Sequence, residues 1–134
     1  MKGAVLAVLL VSLASCRNPF VAHDDLIVCT MQFSFGLNVY VKDSLTGAWA
    51  ASGATLVSRD AQYADSSSVP SNRSDLDSLP LLGAGERAGV YLVTVRKAGY
   101  VDWVQRDVRV TADECHVNSV KLTARLLRTT LNGP

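Results

Sequence analysis

A chain of 134 residues with 13 Lys+Arg against 12 Asp+Glu carries a net charge of only +1, so its composition holds no excess of cations and no acidic tail. Without such an excess the phosphate-neutralising contribution that dominates nucleic-acid affinity is missing, and no nucleic-acid partner is expected. The length suits one domain of ordinary size around a single modest core.

In chain order, the first fifteen residues fall into three zones. Met1-Lys2 supplies one positive charge, residues 3–13 (GAVLAVLLVSL) form an unbroken apolar run, and Ala14-Ser15 are small. This is the n-region, h-region and cleavage site of a secretory signal. Eleven apolar residues fall short of the roughly 20 that cross a bilayer core as a helix, so a permanent span is not expected here or later in the chain. The run closes on Leu13-Ala14-Ser15-Cys16, which resembles the lipobox of bacterial lipoproteins: an aliphatic residue, two small ones, then a cysteine that receives diacylglycerol. The resemblance implies cleavage after residue 15 and lipid attachment at Cys16, with the membrane as partner through that lipid. Two or more acyl chains hold a protein stably where one does not. Arg17 follows, not Asp, so in a diderm source the resemblance implies the outer membrane, facing the periplasm or the surface.

Removing residues 1–15 leaves 119 residues with 12 cations against 12 anions. With Cys16 assigned to lipid, Cys29 and Cys115 remain as an even pair in an oxidising compartment. A disulfide between them would close a loop of about 87 residues, for which the loop-entropy relation gives roughly 4–5 kcal/mol. Two free thiols are the alternative. A metal site is disfavoured, because neither cysteine lies in a CxxC or beside paired histidines. No cofactor is expected.

Residues 16–31 read as a tether, His23-Asp24-Asp25 being part of its solvated stretch. From Phe33 the alternation of Phe33, Phe35, Leu37, Val39 and Val41 with Ser34, Gly36, Asn38, Tyr40 and Lys42 predicts a half-buried strand. Residues 43–47 (DSLTG) predict a turn, and a second, shorter strand follows at about 53–60. Residues 64–88 are rich in Ser, Asp and Pro and predict a long surface connection, in which Leu79, Leu81 and Leu82 tuck a short strand or turn onto the core. Residues 89–97 (GVYLVTVRK) restore alternation with Tyr91, Val93 and Val95 on one face, and Ala98-Gly99 make a turn. The strand over 100–111 places Val104, Val108 and Val110 together and Trp103 with Gln105, Asp107 and Arg109. The last strand runs from Cys115 to about Leu126, with Val120, Leu122, Ala124 and Leu126 inward, and 127–134 read as a frayed tail. Short strands with turn signals and no amphipathic helix predict an all-β, immunoglobulin-like or prealbumin-like antiparallel sandwich of about seven strands over residues 32–126.

Three segments carry a further resemblance: VKDSLTGAWAASGATLV (41–57), AGVYLVTVRKAGY (88–100) and DVRVTADECHVNSVKLTARL (107–126). Together they resemble carboxypeptidase regulatory-like domains, the transthyretin-like sandwiches found in bacterial surface proteins. The pattern of Asp43, Thr46-Gly47 and Gly53-Ala54, then Gly89-x-Tyr91 and Gly99-Tyr100, is the most alike. The resemblance implies an accessory binding or structural module without catalysis. Transthyretin-like hydrolases end in Tyr-Arg-Gly-Ser, whereas this chain ends Leu131-Asn132-Gly133-Pro134.

Catalytic motifs are lacking: no G-x-S-x-G, Walker loop, HExxH or EF-hand loop occurs, and Asp75 and Asp77 fall in the Ser-rich connection. An enzyme is therefore not expected. The one cluster that argues otherwise is His116 with Asp113 and Glu114, which would serve a small hydrolytic or metal-dependent enzyme. Trp103, an aromatic on a polar strand face, and Trp49, in the turn before the second strand, are the candidate surface for an envelope protein or glycan. A bulge or a covering loop would instead bury Trp103.

Overall fold

The computed structural model describes residues 27–129; the expected signal segment 1–15, Cys16, the expected tether as far as residue 26, and residues 130–134 lie outside the described residues. Seven strands and one 3-10 turn follow in order: β1 (Phe35–Asp43), β2 (Ala54–Arg59), β3 (Ala64–Ser68), the turn Ser74–Leu76, β4 (Leu81–Gly85), β5 (Gly89–Lys97), β6 (Trp103–Val110) and β7 (Val120–Leu126). They form two facing sheets, β4-β1-β7 and β3-β2-β5-β6, so the protein is the all-β sandwich that the alternation predicts. Each strand buries alternate side chains because successive Cβ atoms point to opposite faces. Leu37, Val39 and Val41 of β1 meet Leu56 of β2 and Tyr91, Val93 and Val95 of β5 in one core.

Most pairs are antiparallel, but β1 and β7 run parallel in register from Leu37↔Val120 to Asp43↔Leu126. This departs from a purely antiparallel sandwich. β7 comes from the opposite sheet through residues 111–119 and enters beside β1 from the same end. The central strand β1 therefore has an antiparallel neighbour, β4, on one side and a parallel one on the other. At its start, a Cβ on Gly36 would lie 2.5 Å from Val110 Cγ1, so glycine is what lets β6 cross closely over β1.

The Ser-rich connection is more structured than its composition suggests. Residues 64–68 (ADSSS) pair with β2 as the edge strand β3, register Thr55↔Ser68 to Arg59↔Ala64. Its polar side chains suit a sheet edge, and Ser67 Oγ donates 2.6 Å to Leu82 O of the facing sheet. Leu81 is buried in β4 as expected, whereas Leu79 stays exposed. The frayed tail expected from 127 does not begin there. Leu127 O accepts from Val101 N at 2.8 Å, and Thr129 N donates to Gly99 O at 3.0 Å.

One position conflicts with the core around it. Ser58 of β2 is fully buried on the inward face, and its Oγ has no hydrogen-bond partner among the described residues. An unmet buried hydroxyl is destabilising, so Ser58→Ala is expected to raise unfolding free energy by about 1 kcal/mol. Urea denaturation of the two proteins checks this; a loss of stability would mean that the hydroxyl has a partner.

Candidate functional site

The two ends of the sandwich carry different chemistry. At the start of β1, Cys29 and Cys115 are joined by a disulfide with Cα atoms 5.2 Å apart, as the cysteine count predicts. Beside it, His116 Nδ1 lies 3.0 Å from Glu86 Oε1, and His116 Nε2 lies 3.1 Å from Thr30 Oγ1. Glu86 Oε1 also accepts from Ser34 N at 2.6 Å. That backbone N–H, followed by His116, holds the Glu86 carboxyl below the usual range against the opposing effect of burial. The carboxylates next to His116 in sequence play another part: Asp113 Oδ1 accepts from Cys115 N and His116 N, both at 2.9 Å, and so closes the turn on which His116 stands. Those two N–H donors hold Asp113 below its ordinary value.

With its ring proton on Nδ1, His116 donates to Glu86 and accepts from the Thr30 hydroxyl. This is the hydroxyl–imidazole–carboxylate order of acyl-transfer triads. The same contacts tie residues 30–34, ahead of β1, to Glu86 and to the turn at residues 113–116. A shallow depression of about 320 Å³ lies elsewhere, lined by a set that includes Arg59, Asp60, Tyr91 and Arg106. No group of three or more His, Cys, Asp or Glu among the described residues is placed to hold a metal ion.

That depression sits at a β-bulge. Tyr91 pairs with Val108 but Val93 pairs with Gln105, so β6 has one residue more than β5 over this stretch, and Asp107 takes φ 57°. The bulge changes the phase of the strand. Beyond it Trp103 pairs with Val95, whose side chain is in the core, and Trp103 packs half-buried against that core. Val104, expected inward with Val108 and Val110, is 49% exposed. Strict alternation across β6 thus assigns both Trp103 and Val104 to the wrong face, and the only sign of this in the sequence is a tryptophan among Gln, Asp and Arg.

Trp49 is the exposed tryptophan, at 44%. It bridges to Lys42 of β1, whose Nζ stands 4.1 Å from the ring centroid, and Tyr40 lies 5.9 Å away at 51°. In the parallel register Lys42 adjoins Arg125 and Tyr40 adjoins Thr123, so these side chains share the outer face of the three-stranded sheet. Behind the turn that presents Trp49 lies Asp43, 2% exposed. Its Oδ1 accepts from Leu45 N and Thr46 N, and its Oδ2 accepts from Tyr100 OH at 2.9 Å and Arg128 Nε at 2.7 Å. Compared with known proteins, the chain matches no family model and no curated sequence.

Proposed function

We propose that the protein is an exported, lipid-anchored module of a bacterial cell envelope, non-catalytic and of the carboxypeptidase regulatory-like kind, that binds or supports an envelope protein or glycan. The observation that carries this reading is Leu13-Ala14-Ser15-Cys16 at the close of an eleven-residue apolar run. Two features support it. A Cys29–Cys115 disulfide belongs to an oxidising compartment and leaves Cys16 as the third cysteine, outside that pair. The sandwich also leaves two surfaces open to a partner, the depression beside the β6 bulge and the Trp49 end.

The test is the intact mass of the protein isolated from membranes of the producing organism. A chain beginning at Cys16 with added lipid is the expected result; an unmodified chain cut elsewhere overturns the anchoring. Cross-linking in intact cells then reads the partner, one dominant protein or glycan being expected. The Thr30–His116–Glu86 order favours a second reading, a small hydrolase acting through His116. Ester hydrolysis that disappears in a folded His116→Ala variant would establish it.

A further inference from the structure

We infer that the end of the sandwich opposite the disulfide is a docking tip for a lipid leaflet with anionic headgroups. This goes beyond the envelope-module reading and does not depend on lipid at Cys16.

Four large apolar side chains are exposed together at this end: Leu45 at 84%, Leu127 at 62%, Val101 at 49% and Trp49. Backbone hydrogen bonds fix their proximity. Asp43 N bonds to Ala48 O across the turn that carries both Leu45 and Trp49, Ser44 N bonds to Leu126 O, and Val101 N bonds to Leu127 O. The Leu45–Trp49 turn, Val101 and Leu127 are distant in sequence and meet only because β1, β7 and the β5–β6 turn finish at one place. A contiguous exposed apolar cluster with a polar rim marks an interaction surface.

The charges of the rim select the kind of surface. Lys42 and Arg125 stand on the outer face beside Trp49, and Lys97 Nζ reaches Ala50 O. The nearby carboxylates are engaged: Asp43 by Tyr100 and Arg128, Asp102 by Arg96, Asp75 by Arg73, and Asp77 by Ser52 N. Counted together, Lys42, Arg73, Arg96, Lys97, Arg125 and Arg128 outnumber Asp43, Asp75, Asp77 and Asp102, so this end is cationic even though the chain as a whole is nearly neutral. Exposed leucines, a tryptophan and a tyrosine beside it, and lysine and arginine at the rim are the elements of interfacial membrane binding. The aliphatic groups enter the acyl boundary, the aromatic rings sit at headgroup depth and the cations meet anionic lipid. The cluster stands on the β1–β2 turn, the β5–β6 turn and the segment after β7. The nine-residue β1 separates this tip from the disulfide end by roughly 30 Å. The bulge-side depression remains available to a protein or glycan.

The experiment uses the full-length chain carrying Trp103→Phe, so that Trp49 is the sole tryptophan. It is mixed with vesicles of zwitterionic or anionic phospholipid with brominated acyl chains, which quench tryptophan at the bilayer boundary; the wild-type chain is the control for folding. Quenching of Trp49 on anionic vesicles is expected, with partition reduced about tenfold by Leu45→Asp or Leu127→Asp. Lys42→Gln should reduce it about fivefold. Val28→Asp, an exposed apolar position at the disulfide end, should change nothing. No quenching, or quenching that is equal on both vesicle types and in Leu45→Asp, overturns the inference and assigns the tip to another partner. An N-terminal anchor alone does not place Trp49 in the bilayer, and the intact mass at Cys16 is read separately, so either conclusion can fail without the other.

Discussion

Reduction of the Cys29–Cys115 bridge, or its removal as the Cys29→Ser/Cys115→Ser pair, is expected to lower unfolding free energy by about 2–4 kcal/mol, with about 4.5 kcal/mol as the loop-entropy ceiling. The cysteines are 86 residues apart, and the loop they close contains β1 through β6. The bridge therefore acts mostly on the unfolded chain, which loses the freedom to separate its ends. The folded sandwich should persist without it. Cys29 is exposed and Cys115 half-buried, the core lies elsewhere, and residues 30–34 are still held through Thr30–His116 and Ser34–Glu86. Urea denaturation with and without reductant should show the midpoint falling by about 2 M at unchanged far-UV circular dichroism. An unchanged midpoint would show that the unfolded chain is already constrained by other means. Because small domains have only a few kcal/mol in hand, a loss of this size should also be visible as increased proteolysis.

Replacing Asp43 by Ala is expected to be the most damaging single substitution outside the apolar core, lowering the melting temperature by about 10 °C or more. The carboxylate joins three parts of the chain: its own turn at Leu45 and Thr46, the β5–β6 turn through Tyr100, and the segment after β7 through Arg128. Its removal leaves two backbone N–H groups, a half-buried phenol and a guanidinium without their acceptor. The effect should depend on pH in a defined direction. The N–H of Thr46, with further help from Tyr100, Leu45 and Arg128, holds the Asp43 carboxyl far below the ordinary range despite burial. A depressed folded value means that the stabilisation is fully present above the unfolded value of about 4 and is lost as pH falls through the region below it. Thermal melts from pH 7 to pH 3 should therefore show the gap between wild type and Asp43→Asn narrowing below about pH 4. A gap independent of pH would mean that the charge on Asp43 contributes nothing. Asp60, Glu86 and Asp113 are depressed as well, so acid sensitivity should persist, reduced in slope, in the variant.

How much was legible beforehand follows from the range over which each feature is encoded. The inward faces of β1, β5 and β7 are visible as period-2 alternation, because side-chain direction along a strand is a property of neighbouring residues. The turns at 43–47 and 98–99 are visible for the same reason, and Gly47 and Gly99 do take positive φ. Composition misleads in two places. ADSSS looks like loop but forms an edge strand, since an edge pairs on one side only and tolerates polar side chains on both faces. Trp103 and Val104 look correctly phased until a single extra residue in β6 reverses them, and only the partner strand reveals that residue.

The candidate sites divide in the same way. The sequence by itself determines the apolar run that ends just before Cys16, the pairing expected of Cys29 with Cys115, and the two tryptophans as features to be explained. Each is a local or counting property. Only the tertiary structure decides that the His116 imidazole pairs with Glu86, 30 residues away, while Asp113 binds the His116 backbone N–H. It alone decides that β7 joins β1 in parallel and that Asp43 finds Arg128 across 85 residues. The same is true of Leu45, Trp49, Val101 and Leu127, which converge beside Lys42 and Arg125 to give a nearly neutral chain one cationic, apolar end. Periodicity records which way a side chain points relative to its own strand. Which other strand it then faces is set by how the two sheets pack and where their ends coincide, and no local pattern carries that information.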